Sequence, residues 1–92
     1  MTFELVYHTE VKADLAMLDE EIKERIKTAV EMRLTSAPHQ YGEPLRKNLK
    51  RYWKLRVGDY RVVFKVEKNE VWIFGIIHRK EVYKKVTKRI EK

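Results

Sequence analysis

The chain contains 92 residues, with 21 Lys or Arg against 14 Asp or Glu and a formal net charge of +7. This length supports one domain, residues 1–92, with a single core of modest size. The sequence has no cysteine, which excludes disulfides and thiolate metal sites and is typical of a reducing cytoplasm. No apolar run has the length of a membrane span, so we expect a cytoplasmic protein with no membrane partner.

Positive charge is concentrated in the second half of the chain. Residues 1–43 contain 5 Lys or Arg against 9 Asp or Glu, a balance of −4, whereas residues 44–92 contain 16 against 5, a balance of +11. A field of one sign on one part of a small domain favours a polyanionic partner, either a nucleic acid or an acidic protein segment. Charge alone fits an ordinary solvated surface equally well.

The first part of the chain predicts one strand and two helices. Residues 3–7 are rich in strand-forming side chains. Thr9 is suited to cap a first helix, and Asp19 is suited to cap a second. The apolar residues of these helices recur at helical spacing: Val11, Leu15 and Leu18 in the first, and Ile22, Ile26, Val30 and Leu34 in the second. Residues 36–44 contain two prolines and a glycine and predict a loop.

The second part predicts three strands and a final helix. Tight turns are expected at residues 58–59 (Gly-Asp) and 68–69 (Lys-Asn). Residues 71–77 are apolar at nearly every position, which is typical of a strand in the middle of a sheet. Residues 80–91 predict a helix with a buried stripe formed by Val82, Val86 and Ile90. The predicted order is β-α-α-β-β-β-α, an α+β fold in which two N-terminal helices and a short C-terminal helix pack on a small, mostly antiparallel sheet.

Strand alternation around the first turn separates cations from apolar side chains. Lys54 and Arg56 share one face of the strand before the turn, and Arg61 and Lys65 share one face of the strand after it. If the two strands pair in register, these four cations form a single polar face.

Several kinds of catalytic site are excluded by the sequence. His8, His39 and His78 lie on different predicted elements, and no pair has the spacing of a helical metal site. Ser36 is the only serine and does not lie at a strand-to-helix turn of the kind that presents a nucleophile. The three glycines are too far apart for a phosphate-binding loop. We therefore expect neither a metal nor a cofactor.

A basic and aromatic cluster remains, comprising Lys54, Arg56, Arg61, His78, Arg79 and Tyr83. Arg and Lys suit a phosphate whose charge grows in a transition state, and His and Tyr can transfer protons. The 2′-hydroxyl of RNA can itself attack the adjacent phosphorus, so such groups could cleave RNA without a metal. The same residues also fit an ordinary solvated strand face with the Tyr83 ring packed on the sheet.

Residues 53–64 and 78–83, together with the helix pair and the segment at residues 44–46, resemble the RelE branch of the RelE/ParE toxin superfamily over nearly the whole chain. The resemblance implies the toxin of a type II toxin–antitoxin system, a ribosome-dependent mRNA endonuclease that inhibits translation. The partners it implies are a RelB-like antitoxin, the ribosome and mRNA. It also implies a toxin–antitoxin hetero-oligomer that binds operator DNA through the antitoxin.

The resemblance also implies roles for individual residues. The family's basic strand residue falls on Lys54, the arginine of its Tyr-Arg pair on Arg61, its late arginine on Arg79 and its helical tyrosine on Tyr83. Arg61 is expected to clamp the phosphate, and Lys54 to act as base or charge stabiliser. His78 completes the predicted catalytic set, because it can replace Arg79 in the charge role or Tyr83 as proton donor. Six further cations are predicted to contact RNA: Arg46, Lys47, Lys50, Arg51, Arg56 and Lys65.

Two alternatives stay open at this point. A ParE-like toxin would share the fold and inhibit DNA gyrase without cleaving RNA, and an inactive relative would only bind its antitoxin. Tyr52 also stands where some members of the family have a second lysine. The nuclease is favoured by the joint presence of five groups that a protein that only binds does not need: Lys54, Arg61, His78, Arg79 and Tyr83.

Overall fold

The computed structural model describes residues 2–46, 49 and 51–90. Its elements in chain order are β1 (Glu4–Tyr7), α1 (Val11–Ala16), α2 (Glu20–Ala29), a π-helical segment (Val30–Leu34), α3 (Pro38–Tyr41), β2 (Glu43–Pro44), β3 (Trp53–Val57), β4 (Tyr60–Glu67), β5 (Glu70–His78) and α4 (Val82–Ile90). The predicted β-α-α-β-β-β-α order is confirmed, and α3 and β2 are two short additional elements.

The strands form one five-stranded sheet in the order β1-β5-β4-β3-β2. All neighbouring strands are antiparallel except β1 and β5, which are parallel. Strand β5 lies between β1 and β4, and this interior position confirms the prediction made from its nearly continuous apolar run. Both predicted turns are also present, with Gly58 at φ +60° and Lys68 at φ 56°. Glycine adopts this left-handed conformation without the steric cost that other residues meet.

Helices α1 and α2 cover one face of the sheet. Their apolar stripe is confirmed, because Val11, Ile26, Val30 and Leu34 are buried against residues of β3, β4 and β5. Asp19 caps α2 as predicted, since its Oδ1 accepts a hydrogen bond from the Ile22 N–H at 3.0 Å. The side chains that project from this face of the strands complete the core: Leu55, Val62, Phe64, Val71, Ile73 and Ile76.

The start of α1 differs from the prediction that Thr9 caps it. Helix α1 begins at Val11, with Glu10 in the cap position and no side-chain cap hydrogen bond. The Glu10 N–H donates instead to Nδ1 of His8 at 3.1 Å. The histidine ring thus satisfies the N–H of the residue that precedes the helix.

Residues 36–44 were predicted to form a loop, and this prediction is wrong in part. Pro38 is the first residue of α3, where its missing N–H costs no helical hydrogen bond. Gly42 then allows the chain to pass close to Phe64, because a Cβ atom at Gly42 would lie 2.6 Å from the Phe64 ring. This close approach leads the backbone into β2, which pairs with β3.

Helix α4 packs on the opposite face of the sheet. Its Val82 and Val86 are buried in a second cluster with Leu45, Leu49, Val63 and Ile77. The prediction that Ile90 is also buried is wrong, since 38% of it is exposed. The adjacent Arg89 turns inward at this end of the helix and takes the place of the expected apolar contact. None of the helices in the described ranges is long and apolar enough to cross a lipid bilayer.

Candidate active site

The pairing of β3 with β4 brings three predicted site residues onto one face. Arg56 lies directly opposite Arg61, and Lys54 lies opposite Val63. Residues that face each other in an antiparallel pair share a side of the sheet, so Lys54, Arg56 and Arg61 are on the side that α4 covers. The predicted polar face is therefore confirmed for these three cations.

Helix α4 places Tyr83 beside this face. The Lys54 Nζ atom lies 5.9 Å from the centroid of the Tyr83 ring, a distance typical of a cation–π contact. The Tyr83 side chain is 39% exposed, and its hydroxyl makes no hydrogen bond with the described part of the chain. An aromatic ring is thus held next to an ammonium group, and its hydroxyl is open to a ligand.

Arg61 is fixed beside the turn of the β3–β4 hairpin. Its Nη1 donates to the carbonyl oxygens of Gly58 at 3.0 Å and Tyr60 at 2.9 Å. Burial lowers the pKa of Arg61 from its ordinary value, and repulsion from Arg56 and Arg79 lowers it further. The structure therefore holds several guanidinium groups close together, and a bound phosphate would relieve their repulsion.

His78 is the last residue of β5, and Arg79 follows it at the hairpin turn. His78 pairs with Tyr60, which packs against the core under α1 and α2, and the two rings meet edge-on at 5.5 Å. Its Nδ1 accepts a hydrogen bond from the Lys80 N–H at 3.3 Å. Arg79 is tied to the hairpin turn by its N–H, which donates to the Asp59 carbonyl oxygen at 2.8 Å. His78 thus projects from the side of the sheet that α1 and α2 cover, whereas Lys54 and Arg61 project from the other side.

Glu43 is a site residue that sequence reasoning missed. It lies directly opposite Lys54 in the β2–β3 pair and so shares its face. Its charge also acts on Arg61, where it raises the pKa against the effect of burial. The element that positions it is a strand of two residues inside a predicted loop, which leaves no periodic signal in the sequence. A carboxylate therefore joins the cations and the tyrosine of the site.

Comparison with known proteins agrees with this fold. Residues 5–83 match the model of the ParE toxin family, described as the ParE toxin of the type II toxin–antitoxin system parDE. The chain is also 34% identical over 84 residues to the toxin RelE of Mycobacterium tuberculosis, covering 85% of this chain and 87% of that protein. The chain belongs to the RelE/ParE superfamily of type II toxins.

Two solved structures show the same fold as this toxin. The toxin–antitoxin complex RelBE2 from Mycobacterium tuberculosis contains a chain that is 25% identical, with a TM-score of 0.80 over 86% of this chain and 93% of that one. A mutant of the toxin RelE from E. coli, solved in the free state, is 21% identical, with a TM-score of 0.75 over 98% of this chain and 99% of that one.

The predicted RNA-contacting residues of the toxin fall into three groups. Arg46, Arg51 and Arg56 are exposed, and none of them forms an ion pair with the described part of the chain. Lys65 is engaged elsewhere, because its Nζ lies 3.1 Å from Glu67 and 5.8 Å from the centroid of the Trp72 ring. Alternation places Lys65 on the same side of β4 as Arg61, as predicted, and the buried Val63 lies between the two cations. Lys47 and Lys50 lie outside the described residues.

Proposed function

We propose that this toxin is a ribosome-dependent mRNA endonuclease that cleaves without a metal and thereby inhibits translation. The observation that carries the proposal is the convergence of Lys54, Arg61 and Tyr83 on one face of the sheet, with Glu43 opposite Lys54. These groups supply a charge clamp, a carboxylate and a proton donor on one side of the sheet. The sequence identity with a toxin named RelE supports the same activity.

The chemistry follows from the groups present. The RNA 2′-oxygen forms a bond to the adjacent phosphorus while the bond from phosphorus to the 5′-oxygen breaks. Glu43 accepts the proton of the 2′-hydroxyl, and Tyr83 donates a proton to the departing 5′-oxygen. Arg61 and Lys54 stabilise the charge that develops on the phosphate oxygens. The products are a 2′,3′-cyclic phosphate on one fragment and a 5′-hydroxyl on the other.

Tyr83 is a better proton donor in this scheme than His78. The Tyr83 ring contacts Lys54, whereas His78 lies on the other face with Tyr60. Arg79 is placed near Arg61, and its charge can support the phosphate clamp from the hairpin turn. We therefore assign His78 a part in shaping the end of β5 and keep Arg79 among the charge-stabilising groups.

The dependence on the ribosome follows from the openness of the site. Arg56 and Glu43 are exposed, and Lys54 and Arg61 are only half-buried, so the face does not enclose a substrate. A flexible RNA strand must be held in line for attack, and correct orientation of reactants supplies a large part of the barrier lowering in such reactions. We infer that the ribosome provides this orientation by holding the message.

A RelB-like antitoxin is the proposed protein partner in the cytoplasm. The second half of the chain has a balance of +11, and an acidic segment that folds on it would neutralise the site. The complex RelBE2 of Mycobacterium tuberculosis has a toxin chain of the same fold. We propose a similar hetero-oligomer here, with operator DNA bound through the antitoxin.

A gyrase-inhibiting toxin is the second candidate, because the matching family model describes ParE toxins. In that case the basic face would bind its target and no RNA would be cut. Inhibition of DNA supercoiling by the purified toxin, with no cleavage of ribosome-bound mRNA, would favour this candidate.

The proposed activity is tested by mapping mRNA ends on programmed ribosomes. Wild-type toxin should cut ribosome-bound message and leave a 2′,3′-cyclic phosphate, whereas free RNA should be cut poorly. Lys27→Ala, which removes an exposed cation from α2, is a matched control for Arg61→Ala and should cleave normally. Fragments with 5′-phosphate ends, or efficient cutting of free RNA, would contradict the mechanism.

A further inference from the structure

Strand β5 extends beyond the end of its neighbour β1. The last paired residues are Tyr7 and Ile73, and the His8 N–H makes one further hydrogen bond to the Ile73 carbonyl oxygen at 2.8 Å. Past this point two backbone groups of β5 are satisfied by side chains. The Phe74 carbonyl oxygen accepts from Arg89 Nη1 at 3.1 Å, and the Ile76 N–H donates to Asp14 Oδ2 at 3.0 Å.

Asp14 and Arg89 also bind each other in a two-point ion pair. Arg89 Nη1 lies 2.8 Å from Asp14 Oδ2, and Arg89 Nη2 lies 3.0 Å from Asp14 Oδ1. The side chains are only 13% and 10% exposed, so water screens the pair weakly. The hydrogen bonds from Arg89 to Asp14 raise the pKa of the guanidinium above its ordinary value. We refer to these two side chains and the two β5 backbone groups as the Asp14–Arg89 clasp.

The backbone of β5 is shaped to receive this clasp. The register between β4 and β5 shifts beside Phe74, because Val63 pairs with Gly75 while Phe64 pairs with Ile73. A Cβ atom on Gly75 would lie 2.7 Å from Arg89 Nη1. The glycine therefore leaves the space that the guanidinium occupies.

Helix α4 depends on such contacts for its position. It has nine residues, fewer than the roughly 12–15 that an isolated helix needs to be stable in water. Val82 and Val86 pack on the sheet, and Arg89 is the residue of the last turn that reaches inward. Tyr83 lies in the first turn of the same helix, where its ring meets Lys54. A change in the direction of α4 would move the Tyr83 hydroxyl relative to the polar face.

We propose that Asp14 and Arg89 are positioning residues for RNA cleavage, because the Asp14–Arg89 clasp holds the C-terminal end of α4 and so keeps Tyr83 in place beside Lys54. The inference rests on the proposed function, since it concerns the donor of the cleavage step. Neither residue contacts RNA. Their effect is transmitted through the helix.

The test compares variants that weaken the clasp with a neighbouring control. Arg89→Lys keeps the charge but not the two-point geometry, and Asp14→Asn removes the charge with little change in shape. Single-turnover cleavage at saturating ribosomes should slow by about 10-fold or more, while the ribosome concentration at half-saturation stays the same. Lys88→Gln alters an exposed cation in the same turn and should cleave like the wild type.

A double-mutant cycle separates positioning from general loss of stability. In the wild-type background Tyr83→Phe removes a hydroxyl that is in place, whereas in the Arg89→Lys background it removes one that is already displaced. The decrease in cleavage rate caused by Tyr83→Phe should therefore be much smaller in the Arg89→Lys background than in the wild type. Equal losses in both backgrounds, or unchanged cleavage in Arg89→Lys and Asp14→Asn, would overturn the inference.

Amide hydrogen exchange distinguishes failure of the clasp from failure of the proposed function. In Arg89→Lys the amides of α4 should exchange faster, while those of β3, β4 and β5 keep their protection. This measurement does not require activity, so an inactive wild-type toxin would refute the proposed function and leave the structural claim to be decided by exchange. If Arg89→Lys does not fold, Gly75→Ala displaces the guanidinium without changing any charge and is measured in the same way.

Discussion

The hydroxyl of Tyr83 can be removed with almost no change in the folded structure, so Tyr83→Phe isolates its chemical role. The ring keeps its contact with Lys54 at 5.9 Å, and the lost hydroxyl makes no hydrogen bond with the described residues. The free energy of unfolding should therefore stay within about 0.5 kcal/mol of the wild-type value. If Tyr83 protonates the departing 5′-oxygen, the cleavage rate should fall by about 10²-fold, which corresponds to about 2.7 kcal/mol in activation free energy.

Tyr41 offers a closely matched control for this measurement. Its ring lies 5.6 Å from the Arg33 guanidinium and is half exposed, so Tyr41→Phe deletes a hydroxyl from a similar cation–aromatic pair that does not include Lys54. Single-turnover cleavage on programmed ribosomes and thermal unfolding are measured for both variants. A Tyr83→Phe rate within about twofold of the Tyr41→Phe rate would refute the role of Tyr83 as donor.

Three further predictions concern the other site groups and the core. Arg61→Ala should slow cleavage by about 10²–10³-fold through loss of charge stabilisation, and Arg61→Lys should restore part of it; full activity in Arg61→Ala would contradict the clamp. Glu43→Gln should slow single-turnover cleavage by about 10²-fold and leave ribosome binding unchanged, whereas weakened binding with a normal rate would make Glu43 a contact residue. Leu34→Ala, at a fully buried position under the sheet, should lower the free energy of unfolding by about 2–5 kcal/mol in urea denaturation, and a loss below 1 kcal/mol would place Leu34 outside the core.

The longer helices and strands could be predicted because their apolar residues recur with the period of the element and also form the core. The apolar steps of α2 end at Leu34 as predicted, although the final part of the helix widens into a π-helical turn. The turn at Gly58 follows from a conformation that glycine adopts readily. In contrast, α3 has four residues and β2 has two, which is too few to establish a period. Their positions depend on the contact of Gly42 with Phe64, a residue distant in sequence.

The site residues that lie on regular elements could likewise be predicted, whereas those that depend on distant contacts could not. Lys54, Arg56 and Arg61 follow from simple alternation on a regular hairpin, where the face of each residue can be counted from the turn. His78 could not be assigned to a face in this way, because the register shift beside Phe74 interrupts the count along β5. Gly75 lies at this irregularity, but the reason for a glycine there is the Arg89 side chain that fills the space beside it.

Two charged residues, Arg89 and Glu43, could not be assigned a role from the sequence, because their partners are distant along the chain. Arg89 stands in a run of basic residues that is typical of a solvated helix, yet it is buried against Asp14, 75 positions earlier. From the sequence Glu43 is an ordinary loop residue, and only the pairing of β2 with β3 shows that it lies opposite Lys54. The role of a charged side chain depends on the group that it contacts. The periodicity of the sequence predicts only the face of the helix or strand on which that side chain lies. For a small toxin with an open site, the pairing of such charges therefore has to be established from the structure before a role in cleavage can be tested.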